Sequence, residues 1–202
     1  MRIKICGITS GKDALDACEA GADALGFIFW EGSKRYIAPR EVRAIVADLP
    51  PFVTVVGVFV DESREGVAER VESARLDVVQ LHGSESPEFC AALDTTVIKA
   101  FRVRGEEVIE EFARYPVSAY LLDTYQKGVP GGTGLVGNWE VAKRAAARGR
   151  VILSGGLTPE NVAEGIKKVM PYGVDVSGGV EESDRKKSRE KMRLFVERAR
   201  GA

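Results

Sequence analysis

The fold is decided by the stretch Val151-Ile152-Leu153-Ser154-Gly155-Gly156-Leu157-Thr158-Pro159-Glu160, which combines a short apolar strand, a glycine pair and the start of a helix. Thr158 can cap this helix, and Pro159 suits its first position. Similar units lie on both sides of the stretch. The chain contains about eight of them, at a pitch of roughly 25 residues.

This repetition predicts a single-domain (β/α)₈ barrel that spans residues 1–202. The competing architecture, a doubly wound open sheet, usually has fewer units in a chain of this length. The predicted strands are residues 2–6, 24–29, 54–60, 78–81, 96–101, 119–123, 151–154 and 174–176. Helix starts are predicted at Ser10, Pro39, Ser63, Ser86, Thr158 and Asp184, and two further helices at residues 106–114 and around Trp139.

The composition favours a reduced, cytoplasmic, soluble protein. With 202 residues, 45% hydrophobic content and a net charge of −1, the chain suits one core and no nucleic-acid or membrane partner. It contains no apolar run of the roughly 18–20 residues that a membrane span needs, and no signal segment is recognisable. Cys6, Cys18 and Cys90 fit neither a disulfide framework nor a zinc site.

Two glycine pairs predict a phosphate site. Gly155-Gly156 follows the seventh strand, and Ser177-Gly178-Gly179 follows the eighth. Glycines let backbone N–H groups approach an anion, and the loops after strands seven and eight commonly bind phosphate in this fold. Tight turns would explain each pair alone. Two pairs in adjacent loops favour a small phosphorylated ligand.

Strand alternation selects the side chains that point into the barrel. Lys4 and Cys6 share the inward face of the first strand, and Asp123 ends the sixth strand facing inward. Lys4 and Asp175 lie on neighbouring strands of a closed barrel, so we expect them to form an ion pair.

Cys6 and Asp123 are candidates for an acid–base pair. Asp123 would serve as an acid if burial raises its pKa, although for an isolated Asp a role in capping or bracing the following loop is the better explanation. Cys6 would serve as a base if its pKa falls from about 8.5 toward neutrality, for which the helix that begins near Ser10 is the candidate cause. The alternative is a small buried side chain with no chemical role.

Two further polar residues follow predicted strands. Arg35 lies in a basic loop and either binds a carboxylate through its planar guanidinium or is simply solvated. His82 is the single histidine. It lacks suitably spaced partners for a metal site, so we expect a hydrogen-bonded residue at the rim of the substrate site.

The assembled motifs resemble the phosphoribosylanthranilate isomerase family of tryptophan biosynthesis, in the family's order and along the whole chain. The matching stretches are residues 4–9 (KICGIT), 22–29 (ADALGFIF), 33–37 (SKRYI), 57–60 (GVFV), 79–83 (VQLHG), 121–124 (LLDT), 131–134 (GGTG), 153–157 (LSGGL) and 174–177 (VDVS).

The resemblance implies an Amadori rearrangement of N-(5-phosphoribosyl)anthranilate to 1-(2-carboxyphenylamino)-1-deoxyribulose 5-phosphate. In the family's pattern Asp123 matches the general acid, Cys6 the general base and Arg35 the residue that holds the anthranilate carboxylate. The two glycine loops match the family's phosphate-binding loops. The resemblance implies no metal and no cofactor, a small phosphoribosyl substrate as partner, and leaves the assembly open between a monomer and a homodimer.

The chain departs from the family at two places. Residues 137–139 read Gly-Asn-Trp where the family often has Phe-Asp-Trp, and Ser177-Gly178-Gly179 replaces a common pair of serines followed by glycine. Three alternatives stay open. The histidine-pathway isomerase performs the same rearrangement but has a carboxylate in place of Cys6, and a bifunctional enzyme is compatible with the sequence. A non-catalytic phosphosugar-binding barrel would keep the glycine pairs without needing both Cys6 and Asp123.

Overall fold

The computed structural model describes residues 1–103, 106–112, 114–123 and 139–202. Eight parallel strands close into a barrel in sequence order, which confirms the predicted fold class. The ring closes between the first and last barrel strands, where Lys4 is paired in register with Asp175. The barrel strands are β1 Arg2–Cys6, β2 Ala24–Ile28, β3 Thr54–Phe59, β4 Val78–Leu81, β5 Thr96–Arg102, β6 Ala119–Asp123, β7 Val151–Ser154 and β8 Gly173–Val176.

Helices follow the strands and surround the barrel. Their starts reflect local capping: the Ser10 side chain accepts a hydrogen bond from the backbone N–H of Asp13, and Ser63 and Ser86 cap in the same way. Gly21 ends the first helix in the left-handed conformation. The helices are α1 Gly11–Ala20, α2 Pro39–Ala47, α3 Arg64–Ala74, α4 Pro87–Ala91, α5 Glu107–Phe112, α6 Trp139–Ala146, α7 Val162–Val169 and α8 Arg189–Arg200.

Two predicted helix starts are wrong. Helix α7 begins at Val162, because residues 158–161 form a turn that the Asn161 side chain holds. Its Oδ1 accepts a hydrogen bond from the Thr158 N–H at 2.8 Å, and its Nδ2 donates one to the Gly156 carbonyl at 3.0 Å. Asp184 does not cap α8 either. It lies between two short antiparallel strands, β9 Glu181–Ser183 and β10 Lys186–Lys187, and Ser188 caps the helix.

The strands divide the apolar core into two parts, as the period of two predicts. Outward residues such as Leu122 pack against the helices, whereas a small cluster that includes Ala100 and Leu121 fills the barrel interior. Beside this cluster the Lys4 Nζ donates to Asp175 Oδ1 at 2.7 Å, and both side chains are buried. The predicted ion pair is therefore confirmed.

The amino-terminal end of the barrel carries exposed apolar side chains. Phe52 is fully exposed, with a backbone φ of 74°, and Tyr172 is half exposed. Both line a cavity of about 570 Å³ among the starts of the strands. None of the helices in the described ranges is long and apolar enough to cross a membrane.

Candidate active site

A cavity of about 690 Å³ opens at the carboxyl ends of the barrel strands. Side chains from the first, second, fourth and sixth strands or their loops meet there with the glycine loops after β7 and β8. The residues predicted from the sequence that line it are Cys6, Arg35, His82, Asp123, Gly155, Gly156, Ser177, Gly178 and Gly179. The structure thus brings all nine together, which is the geometric condition for a shared site.

Cys6 ends β1 and is buried beside Gly26 of β2. A Cβ atom at position 26 would lie 2.7 Å from the Cys6 Sγ, so only glycine leaves room for the thiol there. Burial raises the pKa of Cys6, and the nearby Asp175 adds to the rise, while the cations of Lys4 and Lys187 oppose it. The expected fall toward neutrality is therefore wrong for this structure: the low dielectric around the thiol outweighs the cations.

His82 lies between Gln80 and Asp123. Its Nδ1 is 3.1 Å from the Gln80 Nε2, and its Nε2 is 3.9 Å from the Asp123 Oδ2. If the Gln80 amide donates, Nδ1 is the acceptor and the ring proton sits on Nε2, on the side of Asp123. Within the described part of the chain, the buried Gln80 Oε1 has no hydrogen-bond partner. The prediction of a hydrogen-bonded rim histidine fits this arrangement, and Gln80 was missed.

The glycine loops after β7 and β8 touch each other. A Cβ atom at Gly179 would lie 1.9 Å from the carbonyl oxygen of Leu157, so the close approach requires glycine. Gly156 has a φ of 71°, and a Cβ atom there would meet no atom within 4 Å. The Gly156 backbone therefore borders open space in the cavity, as an anion site would need.

Arg35 is half-buried rather than solvated, because it forms a two-pronged ion pair with Glu181. Its Nε donates to Oε1 at 2.5 Å and its Nη2 to Oε2 at 2.7 Å. This hydrogen bond raises the pKa of Arg35. The buried Lys187 also donates to Glu181 Oε1, at 3.2 Å.

Sequence reasoning missed Glu181 and Lys187. Both lie in the β9–β10 hairpin, in a stretch that the sequence pattern predicts to lead directly into the last helix. The available signal was the dense run of charge between the second glycine pair and α8, in which acidic residues are followed by basic ones over residues 181–187. Among the residues that the structure describes, no three His, Cys, Asp or Glu side chains are grouped to hold a metal ion.

The fold and the cavity together define a class: barrel proteins in which glycine-rich loops at the ends of strands seven and eight line one cavity with a thiol and a carboxylate. A family model, N-(5′-phosphoribosyl)anthranilate (PRA) isomerase, matches residues 3–198. The chain belongs to this family, and the predicted relationship is confirmed.

Individual relatives agree with the family model. An N-(5′-phosphoribosyl)anthranilate isomerase from Geobacter sp. (strain M21) is 53% identical over 199 residues, covering 98% of each chain. The crystal structure of phosphoribosyl anthranilate isomerase from Thermotoga maritima is 42% identical, covers both chains fully and superposes with a TM-score of 0.92. A further structure is of monomers generated from the dimeric Thermotoga maritima enzyme.

One solved relative contains a ligand. It is a phosphoribosyl anthranilate isomerase in complex with reduced 1-(o-carboxyphenylamino)-1-deoxyribulose 5-phosphate, is 41% identical over the full length of both chains, and has a TM-score of 0.89.

Proposed function

We propose that this protein isomerises N-(5′-phosphoribosyl)anthranilate to 1-(2-carboxyphenylamino)-1-deoxyribulose 5-phosphate in tryptophan biosynthesis, with Asp123 as general acid and Cys6 as general base. The observation that carries the proposal is the single cavity that Cys6, Arg35, Asp123 and both glycine loops line, in a chain of this family. A ligand with a phosphate at one end and a carboxylate at the other suits such a cavity.

The first step is acid catalysis. Asp123 gives its proton to the ring oxygen of the ribose, the bond between this oxygen and C1 breaks, and the nitrogen lone pair forms a C1=N double bond. The product is an open-chain protonated imine. His82 supports this step because its Nε2 faces the Asp123 carboxylate at 3.9 Å and can stabilise the negative charge that remains.

The second step is base catalysis. The Cys6 thiolate removes the C2 proton, the electrons of that bond form C1=C2, and the imine nitrogen accepts the displaced pair to give an enolamine. Proton transfer from the C2 hydroxyl and to C1 then yields the ketone. Lys4 supports the role of Cys6, since its cation is among the groups that favour the thiolate. Because the imine nitrogen takes up the electrons, the route needs no cofactor.

Different parts of the cavity lining would hold the two charged ends of the substrate. Backbone N–H groups of the glycine loops suit a phosphate, and the guanidinium of Arg35 suits the anthranilate carboxylate through paired hydrogen bonds. Arg35 lines the same cavity as Cys6 and Asp123, which supports this orientation.

A fluorescence assay that follows the loss of phosphoribosylanthranilate tests the proposal. Wild type should turn the substrate over, and Cys6→Ser and Asp123→Asn should each reduce kcat by about 10²–10⁴-fold, the usual contribution of a proton donor or acceptor. Cys18→Ser is the matched control, because Cys18 lies in α1 outside the cavity. Its activity should equal that of wild type.

The outcomes separate the alternatives. A wild type without turnover would rule out the reaction, and full activity in Cys6→Ser would rule out the thiol as base. Turnover of the corresponding histidine-pathway substrate by the same preparation would indicate a bifunctional enzyme. Tight binding of the substrate without turnover would instead support the phosphosugar-binding alternative.

We also propose that the protein forms a homodimer through the amino-terminal end of the barrel. The support is the fully exposed Phe52 next to the cavity of about 570 Å³, together with a relative described as dimeric. Light scattering should give twice the mass expected for one chain, and Phe52→Glu should give monomers. A monomeric wild type at micromolar concentration would contradict the proposal. The cytoplasmic location and the absence of a nucleic-acid partner stay predictions.

A further inference from the structure

We propose that Glu181 and Lys187 of the β9–β10 hairpin are positioning residues, which hold Arg35 so that its remaining N–H groups meet the carboxylate of the substrate. The inference rests on the proposed function and extends it, because it assigns the recognition of the substrate's carboxylate to a hairpin inserted between β8 and α8.

The hydrogen bonds around Arg35 give the guanidinium a defined orientation. A guanidinium carries five N–H groups. Two of those on Arg35, on Nε and Nη2, donate to the two oxygens of Glu181 at 2.5 and 2.7 Å. The ion pair occupies one edge of the planar group and leaves the Nη1–Nη2 edge for a second carboxylate. Glycines at positions 7 and 178 permit this pose, because a Cβ atom would lie 2.5 Å from the Arg35 Cδ at Gly7 and 3.3 Å from Nη2 at Gly178.

The Glu181 carboxylate lies beside a site that is proposed to bind an anionic ligand. Alone, Glu181 would repel the substrate and neutralise Arg35. Lys187 counters this effect: its side chain is fully buried, and its Nζ donates to Glu181 Oε1 at 3.2 Å. The three charged groups together carry a net charge of +1, so the site keeps its attraction for anions while Arg35 is held in place.

Lys187 also connects the two ends of the proposed ligand site. Its Nζ donates to the Ser177 carbonyl oxygen at 3.1 Å, at the start of the glycine loop after β8. Its backbone N–H donates to Asp13 Oδ2 in α1 at 3.2 Å, which fixes the strand that carries it. A continuous set of contacts therefore runs from the glycine loop through Lys187 and Glu181 to Arg35. It sets the separation between the phosphate and carboxylate sites.

The hairpin itself is anchored to the neighbouring loops. The Thr9 Oγ1 donates to the Arg185 carbonyl at 2.9 Å, and the Arg185 Nη2 donates to the Tyr36 carbonyl at 3.3 Å. Lys34 forms an ion pair with Asp184 in the hairpin turn. These contacts lie away from the cavity and hold the hairpin over the loops after β1 and β2, so Glu181 has a fixed support.

Calorimetric titration with two probes tests the proposal. The first is reduced 1-(o-carboxyphenylamino)-1-deoxyribulose 5-phosphate, and the second is the same compound without its carboxyl group. Wild type should bind the first more tightly. Glu181→Gln should weaken binding of the first by about 10–100-fold, the range of one charge-assisted hydrogen bond, and change binding of the second by less than about twofold. Lys187→Met should weaken both, because it also releases the glycine loop.

Matched controls lie in the same hairpin. Glu182 and Lys186 form an exposed ion pair that does not contact Arg35, so Glu182→Gln and Lys186→Met should bind both probes like wild type. Thermal unfolding of each variant checks folding. In an Arg35→Ala background Glu181→Gln should no longer alter the preference for the carboxylated probe, since a positioning residue acts only through its partner.

Two results would overturn the inference in distinguishable ways. If wild type prefers the carboxylated probe and Glu181→Gln shows the same preference, Glu181 does not position Arg35, and the proposed function stands. If folded wild type binds neither probe, the proposed function fails and this inference fails with it. An equal loss for both probes in Glu181→Gln would indicate a general structural role and would also overturn the inference.

Discussion

Replacing Lys4 by methionine should destabilise the protein by about 3–5 kcal/mol, the usual cost of removing one partner from a buried ion pair. The Lys4 Nζ lies 2.7 Å from Asp175 Oδ1, and the two side chains are only 5% and 7% exposed. Methionine keeps much of the length of lysine and removes the charge. Asp175 would then be a buried carboxylate without its lysine, and its other oxygen accepts a neutral hydrogen bond from Ser154 Oγ at 3.1 Å.

Urea-induced unfolding measures this loss directly. For a domain of this size, the melting temperature should fall by about 6–20 °C, since each kcal/mol corresponds to about 2–4 °C. The double variant Lys4→Met/Asp175→Asn should be more stable than Lys4→Met alone, because it leaves no uncompensated charge in the barrel. Arg193→Met is the control: the Arg193–Glu197 pair on α8 is exposed and should contribute at most about 1 kcal/mol.

Two results would refute this reasoning. If Lys4→Met lowers the free energy of unfolding by less than about 1 kcal/mol, the buried ion pair stabilises the protein no more than an exposed pair does. Additive effects of the two substitutions in the double variant would mean that the lysine and the carboxylate do not interact in the folded protein.

Burial raises the pKa of Cys6, so kcat/KM should increase with pH through the neutral range, by up to about tenfold per unit, until the thiol ionises; rates already constant below pH 7 would contradict the assignment. Gly156→Ala should place a methyl group in the cavity at a φ of 71° and weaken inhibition by inorganic phosphate, whereas Gly11→Ala at the start of α1 should not. Lys99→Met should lower the free energy of unfolding by about 3–5 kcal/mol, because the buried Glu85 carboxylate, 2.9 Å from the Lys99 Nζ, loses the cation that compensates its charge; urea titration measures this loss.

The sequence predicted those features that local rules control. The period of two placed Lys4, Cys6 and Asp123 on inward faces, and serine caps marked most helix starts. The charged pair across the closure of the barrel followed from the same rule, once the strands were taken as a closed ring.

Other features depend on contacts between distant parts of the chain. Glu181 lies 146 residues from Arg35 in sequence, so no local pattern predicts their ion pair. The direction of the Cys6 pKa shift depends on burial and on charges from three elements, Lys4, Asp175 and Lys187, which only the folded structure brings together. The predicted start of α7 is wrong for a local reason, because the side-chain hydrogen bonds of Asn161 hold a turn before the helix.

The anchored β9–β10 hairpin limits how this barrel can be re-engineered. In this fold each active-site loop follows a different strand. Barrel enzymes can therefore change their reaction by varying individual loops. Here the loop after β2 carries Arg35, while its carboxylate partner Glu181 follows β8. A graft of the loop after β2 alone would leave that carboxylate with Lys187 only. The transferable module is therefore the set of three loops after β1, β2 and β8, moved together.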